Sequence, residues 1–126
     1  MVNDFNVIYP NPTPSGVILE KNVPAPMRDG VKLALDIYKP PRVKGPWPVI
    51  LAYSPFPKER IFESAKPAFY CNKGYVCVQA SERGIGFNQG KFTMHGAQAA
   101  QDGYDLVEWI AGQPWCTGKV GMMGAS

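Results

Sequence analysis

Three short apolar runs, spaced by segments that suit helices, constrain this chain more than any other feature. The first, PVILAY at residues 48–53, has no alternating polar positions, as a strand buried on both faces requires. Residues 75–80 (YVCVQA) form the second and residues 119–123 (KVGMM) the third. Between the first two, residues 62–72 suit a helix stopped by Gly74. Between the second and third, Ala97–Ala111 carries Tyr104, Val107 and Ala111 at three- and four-residue spacing, with Gly112 and Pro114 to end it. Strand, helix, strand, helix, strand is the order of right-handed βαβ crossovers, whose product is a parallel sheet with helices on both faces. The predicted fold class is therefore α/β.

Upstream, the period changes. Val31, Leu33, Leu35 and Ile37 alternate with Lys32, Ala34 and Asp36, the pattern of a half-buried strand, and Asp29 with Gly30 supplies the turn before it. Residues 17–38 are expected to form an antiparallel hairpin at the edge of the parallel sheet. Residues 1–16 hold Pro10, Pro12, Pro14 and Gly16, a density that predicts an irregular N-terminal arm. Residues 17–126 show no internal linker or repeat. A sheet whose last predicted strand lacks a following helix leaves one face wet. The domain is therefore expected to continue past Ser126, with the remainder of the same protein, in one piece or as a second chain, as its partner.

Composition excludes several roles. The 13 Lys and Arg are scattered among 10 Asp and Glu, so no basic stripe offers itself to nucleic acid. No apolar run approaches the roughly 20 residues that span a bilayer, so no membrane partner is expected. The opening MVNDFNVIYP has Asp4 early and no basic lead, unlike a secretory signal. Cys71, Cys77 and Cys116 make an odd count without CxxC spacing or a neighbouring histidine, which suggests neither a disulfide framework nor a zinc site. A reducing, cytoplasmic setting is expected, with the thiols acting as small hydrophobes.

In a parallel sheet, reactive groups collect beyond the carboxyl ends of the strands. Here those segments are SPFPKE, SERGIGFNQG and GAS. Ser126, directly after a short buried strand and flanked by small residues, is placed as a nucleophile elbow requires, with Gly124 keeping side chains away from the tight turn. The glycines of the second segment also allow a dinucleotide-binding reading, although the third glycine is one residue late and no helix opens on the loop. His95, the sole histidine, precedes the serine and is read as structural or solvent-facing. Asp102, Asp105 and Glu108, three residues apart, are expected on a solvated helix face. Arg83 suits either a buried carboxylate partner or the surface.

The stretch QDGYDLVEWIAGQPWCTGKVGMMGAS, with Asp102, Gly103, Trp109, Gln113, Pro114, Trp115, Gly118, Val120 and Gly121, resembles the segment entering the nucleophile elbow of the CocE/NonD hydrolases. That group includes cocaine esterases, α-amino-acid ester hydrolases, glutaryl acylases and X-prolyl dipeptidyl peptidases. MRDGVKLALDIYKP is similar to the family's opening hairpin, and Arg83, Gly84 and Gly90 fit its loop after the next buried strand, so the likeness covers residues 17–126. It implies the N-terminal part of an α/β-hydrolase fold. It further implies that Ser126 attacks the carbonyl of a small-molecule ester or amide, forming an acyl-enzyme that water hydrolyses, with no cofactor. Because the triad order in this fold is Ser, then Asp or Glu, then His, the acid and base are expected outside the chain. The family often uses a tyrosine hydroxyl in a Pro-Tyr pair as an oxyanion donor, where this chain has Pro55 and Phe56. A backbone N–H near Phe56, or Tyr53 from another direction, is the expected substitute. Losing one such donor costs about 2.7–4 kcal/mol of transition-state stabilisation. The alternative is a hydrolase-like domain with a binding or structural role and no activity.

Overall fold

The computed structural model describes residues 8–12, 16–41, 43–58, 60, 67–93 and 96–124. Its elements are β1 (Ile8–Pro12), β2 (Ile18–Pro26), β3 (Lys32–Lys39), β4 (Trp47–Ser54), α1 (Pro67–Cys71), β5 (Val76–Ser81), α2 (Ala97–Ala111) and β6 (Cys116–Met123). The six strands form one sheet in the order β1-β2-β3-β5-β4-β6. β4 runs parallel to both β5 and β6, while β1, β2 and β3 are antiparallel and join through β3 and β5. The predicted hairpin followed by a parallel βαβαβ unit is thus the observed architecture. Among the described residues no helix is long and apolar enough to cross a membrane.

Three local expectations change. Part of the arm expected to be irregular, residues 8–12, pairs with β2 as a strand. At a sheet edge the missing proline donors at Pro10 and Pro12 are tolerable, since an edge strand needs only one side of its ladder. Of the helix expected over 62–72, residues 67–71 are helical, and 61–66 lie outside the described residues. β3, expected to be half-buried, is buried continuously over residues 33–38. β2 and β5 satisfy its two edges, and a core cluster packs on each of its faces. Leu33, Leu35 and Ile37 join the main core, and Tyr38 joins a second cluster with Val17, Cys71 and Cys77 on the α1 side. The alternation in its sequence is one of size and polarity between two buried faces.

The main core packs Leu106 and Ile110 of α2 against Leu33, Leu35, Leu51, Val76, Val78 and Ala80 of the sheet. Burying one such aliphatic side chain contributes about 1.5–3 kcal/mol. The buried stripe of α2 is Asp102, Gly103, Leu106 and Ile110, so the helix face differs from the one expected from Tyr104, Val107 and Ala111. Tyr104 is exposed, and Asp102 is fully buried because Arg83 neutralises it. Gly103 admits the ring of Tyr53, whose Cε2 would stand 3.2 Å from a Cβ at that position.

Candidate active site

The parallel strands deliver three chain segments to one end of the sheet. Ser54 of β4 lies in register with Ser81 of β5, and Ala52 with Met123 of β6. β6 gives way to Gly124, while Ala125 and Ser126 lie outside the described residues, as does His95. The expected nucleophile is therefore located only by its order in the chain, three residues after the last residue of β6.

The segment after β4 is fastened at several points. Ser54 Oγ accepts the Phe56 N–H at 3.1 Å, and Ser81 Oγ donates to the Phe56 carbonyl at 2.7 Å. The Glu82 N–H donates to the Ser54 carbonyl at 3.0 Å, tying this segment to the one after β5. Phe56 itself is 39% exposed, with the Arg60 guanidinium carbon 5.4 Å from its ring centroid. Its ring is available as an apolar wall, while its N–H already has an acceptor.

Tyr53 points the other way. Its hydroxyl donates to the Ala99 carbonyl at 2.9 Å, which fastens β4 to the first turn of α2. Burial, with the Asp102 and Glu82 carboxylates nearby, raises its pKa well above the usual phenol value, so the hydroxyl keeps its proton. The two residues singled out as oxyanion candidates thus face different neighbours: Phe56 the open end of the sheet, Tyr53 the α2 side.

The segment after β5 is organised by Arg83. Its Nε and Nη2 donate to the Asp102 carboxylate at 2.7 and 2.8 Å, and its Nη1 and Nη2 reach Asp29 at 2.9 and 3.3 Å. Both carboxylates raise the arginine's pKa, Asp102 foremost. Gln98 adds a 2.9 Å donor to Asp102. Fork geometry suits Arg for such a two-carboxylate clamp. Asp105 is likewise engaged, its carboxylate held below the usual range by the side-chain hydrogen bond from Arg28. The acidic residues expected on a wet helix face therefore divide: Asp102 is core, Asp105 clamps the β2–β3 turn, and Glu108 remains exposed.

The glycine loop serves its own fold. Gly84 has φ +81°, and a Cβ there would stand 2.5 Å from the Phe92 nitrogen. Asn88 accepts the Ala34 N–H and donates to the Ser81 and Glu82 carbonyls, folding the loop back onto β3. α2 begins only at Ala97, so no helix N-terminus meets these glycines, and a pyrophosphate cradle is not formed. A groove of about 430 Å³ lined by Pro48, Val49, Ile50, Tyr75 and Lys119–Gly121 opens at the amino-terminal half of β4, away from the segments just described.

Sequence reasoning missed one feature of this end of the molecule. Lys58 is only 6% exposed, with Nζ 2.7 Å from Asn22 Oδ1 and 3.5 Å from Asp36 Oδ1. A cation one residue beyond two prolines reads as a surface charge, and Asp36 reads as the wet face of β3. Only the strand order reveals that both are inside.

An open sheet with an antiparallel hairpin leading into parallel strands, and loop segments gathered at their carboxyl ends, is a mixed α/β domain of the α/β-hydrolase type. The solved structure of a CocE/NonD-family hydrolase from Staphylococcus aureus superposes with a TM-score of 0.74 at 27% identity, over 84% of this chain and 22% of that one. An α-amino-acid ester hydrolase superposes with a TM-score of 0.69 at 25% identity, over 86% of this chain and 21% of its own. The chain belongs to the X-Pro dipeptidyl-peptidase family (S15), whose family model matches residues 29–126. It is 40% identical over 109 residues to the cocaine esterase of a Rhodococcus strain, a match covering 83% of this chain and 19% of that protein. The chain spans about a fifth of the length of the curated relatives it matches.

Proposed function

We propose that the protein containing this chain is a serine hydrolase that cleaves small-molecule esters or amides through an acyl-enzyme on Ser126. The observation that supports the reading is that Ser126 follows β6 by three residues in the chain, that β6 runs parallel to β4 and β4 to β5, and that residues 29–126 match a hydrolase family model. In this reading Ser126 Oγ attacks the substrate carbonyl, a histidine beyond residue 126 takes its proton, and an Asp or Glu orients that histidine. Water then releases the acyl group. The similarity to cocaine esterase favours an ester as the substrate. Phe56 forms an apolar wall for the acyl or leaving group. With the Phe56 N–H held by Ser54 and the Tyr53 hydroxyl by Ala99, the oxyanion is met chiefly by the backbone N–H following Ser126.

The test uses the full-length protein and a fluorophosphonate probe, with the label mapped by peptide mass analysis. Labelling of Ser126, and loss of p-nitrophenyl acetate hydrolysis in Ser126→Ala, is the expected result. An unlabelled Ser126 together with activity surviving Ser126→Ala overturns the reading and leaves a hydrolase-like binding domain.

A further inference from the structure

A buried lysine is costly to retain, because desolvation disfavours its charge and its flexible stem must be ordered. Lys58 is nevertheless buried in a segment that contributes no core of its own, and its ammonium is directed into the sheet. Among the described residues it has a short partner in Asn22 Oδ1 at 2.7 Å and an ionic partner in Asp36, whose side chain is 2% exposed. Asp36 Oδ1 also accepts the Asn22 N–H at 3.1 Å, and Oδ2 accepts Lys21 Nζ at 3.0 Å. Asn22 sits at a bulge between Glu20 and Val23 with φ +58°, a left-handed conformation that turns its amide toward Lys58. The Phe87 ring, from the segment after β5, lies 5.9 Å from Nζ. One side chain thus links the segment after β4 to the β2 bulge, to the sheet's buried carboxylate and to the neighbouring loop.

We propose that Lys58 is a positioning residue for the hydrolytic site: by anchoring to Asn22 and Asp36 it fixes the segment carrying Phe56 against the end of the sheet where the acyl group binds. The proposal rests on the serine-hydrolase reading above. Its physical basis is that the side chain touches no reacting atom, yet holds two residues away from a wall of the site. Misplacement of such a segment by about 1 Å costs up to roughly 100-fold in rate. The bulge at Asn22 presents that acceptor, and asparagine is among the non-glycine residues that most readily take a left-handed position.

The experiment compares kcat and KM for p-nitrophenyl acetate, and the rate of fluorophosphonate labelling, in full-length wild type, Lys58→Met and Asn22→Gly. Glycine keeps the left-handed backbone of the bulge and deletes only the acceptor, so Asn22→Gly stays folded even where Lys58→Met does not. Both variants are expected to lose roughly 10–100-fold in kcat and in labelling rate, with KM changed far less and with the Asn22→Gly melting curve close to wild type. Wild-type kcat in folded Asn22→Gly overturns the positioning role, as does a loss of kcat that only mirrors a loss of folded protein. A wild type that neither hydrolyses the ester nor takes the label overturns the hydrolase reading instead, and the proposal with it.

Discussion

β3 and β6 are both eight-residue strands of the same sheet, and they live in opposite surroundings. β3 has a hydrogen-bonded neighbour on each side and six consecutive buried residues. β6 pairs with β4 alone among the described residues, and of its residues only Cys116 is buried, while Met122 is 56% exposed. The sequences hide this contrast, since KLALDIYK alternates like a surface strand and KVGMM reads as interior. Strand composition records what each face touches in the finished protein; exposure at any one edge depends on which neighbours are present.

The contrast predicts a gradient of mutational cost. Asp102→Ala, which strips the buried partner from Arg83, is expected to destabilise by about 3–5 kcal/mol in urea denaturation, the range for breaking a buried pair from one side. Leu35→Ala in β3, at 0% exposure, should follow at about 2–5 kcal/mol. If Leu35→Ala cost no more than a surface change, the interior status of β3 would be refuted. Below these comes acid sensitivity. Asp29 and Asp105 are held below the usual 3.8 by side-chain hydrogen bonds from Arg83 and Arg28. Their contribution is fully present above pH 3.8 and is lost as pH falls through the depressed folded values. Melting curves between pH 7 and 3 should therefore fall only at the acid end, and Arg28→Ala should flatten that fall. Smallest of all, Met122→Ala on β6 is expected within about 0.5 kcal/mol of wild type by the same denaturation. A larger loss would mean that β6 is as enclosed as β3.

Much of this architecture could be read from residue order, and the reasons for the failures are specific. The parallel unit was legible because the runs at 48–53, 75–80 and 119–123 are each short, apolar and punctuated by Gly or Pro. β6 nonetheless begins at Cys116, earlier than its apolar residues suggest, because Trp47 of β4 pairs there across an irregular register. The α2 face was misjudged because polarity was taken as exposure. Asp102 lies in the core paired to Arg83, nineteen positions upstream, a pairing that no window of local sequence contains. The same holds for Asp36 and Lys58, joined across the sheet. Phe56 could be singled out from its place after the first buried run, whereas the engagement of Tyr53 with Ala99 depends on how α2 crosses β4. Ser126 was expected as the nucleophile from its neighbours in sequence and lies outside the residues whose geometry is described.

The partners of β4 also set an order of assembly. The β2–β3 ladder joins residues close in sequence, such as Ala25 with Leu33, whereas β4 must wait for Val76 to meet Val49 and longer still for Val120. Closing the longer loops takes more chain entropy, so the hairpin can gain protection from hydrogen exchange early and the β4–β6 ladder last. On a ribosome all residues of the first of these pairings are synthesised before those of β6. The strand that leads to Ser126 would then be the last to join the described sheet.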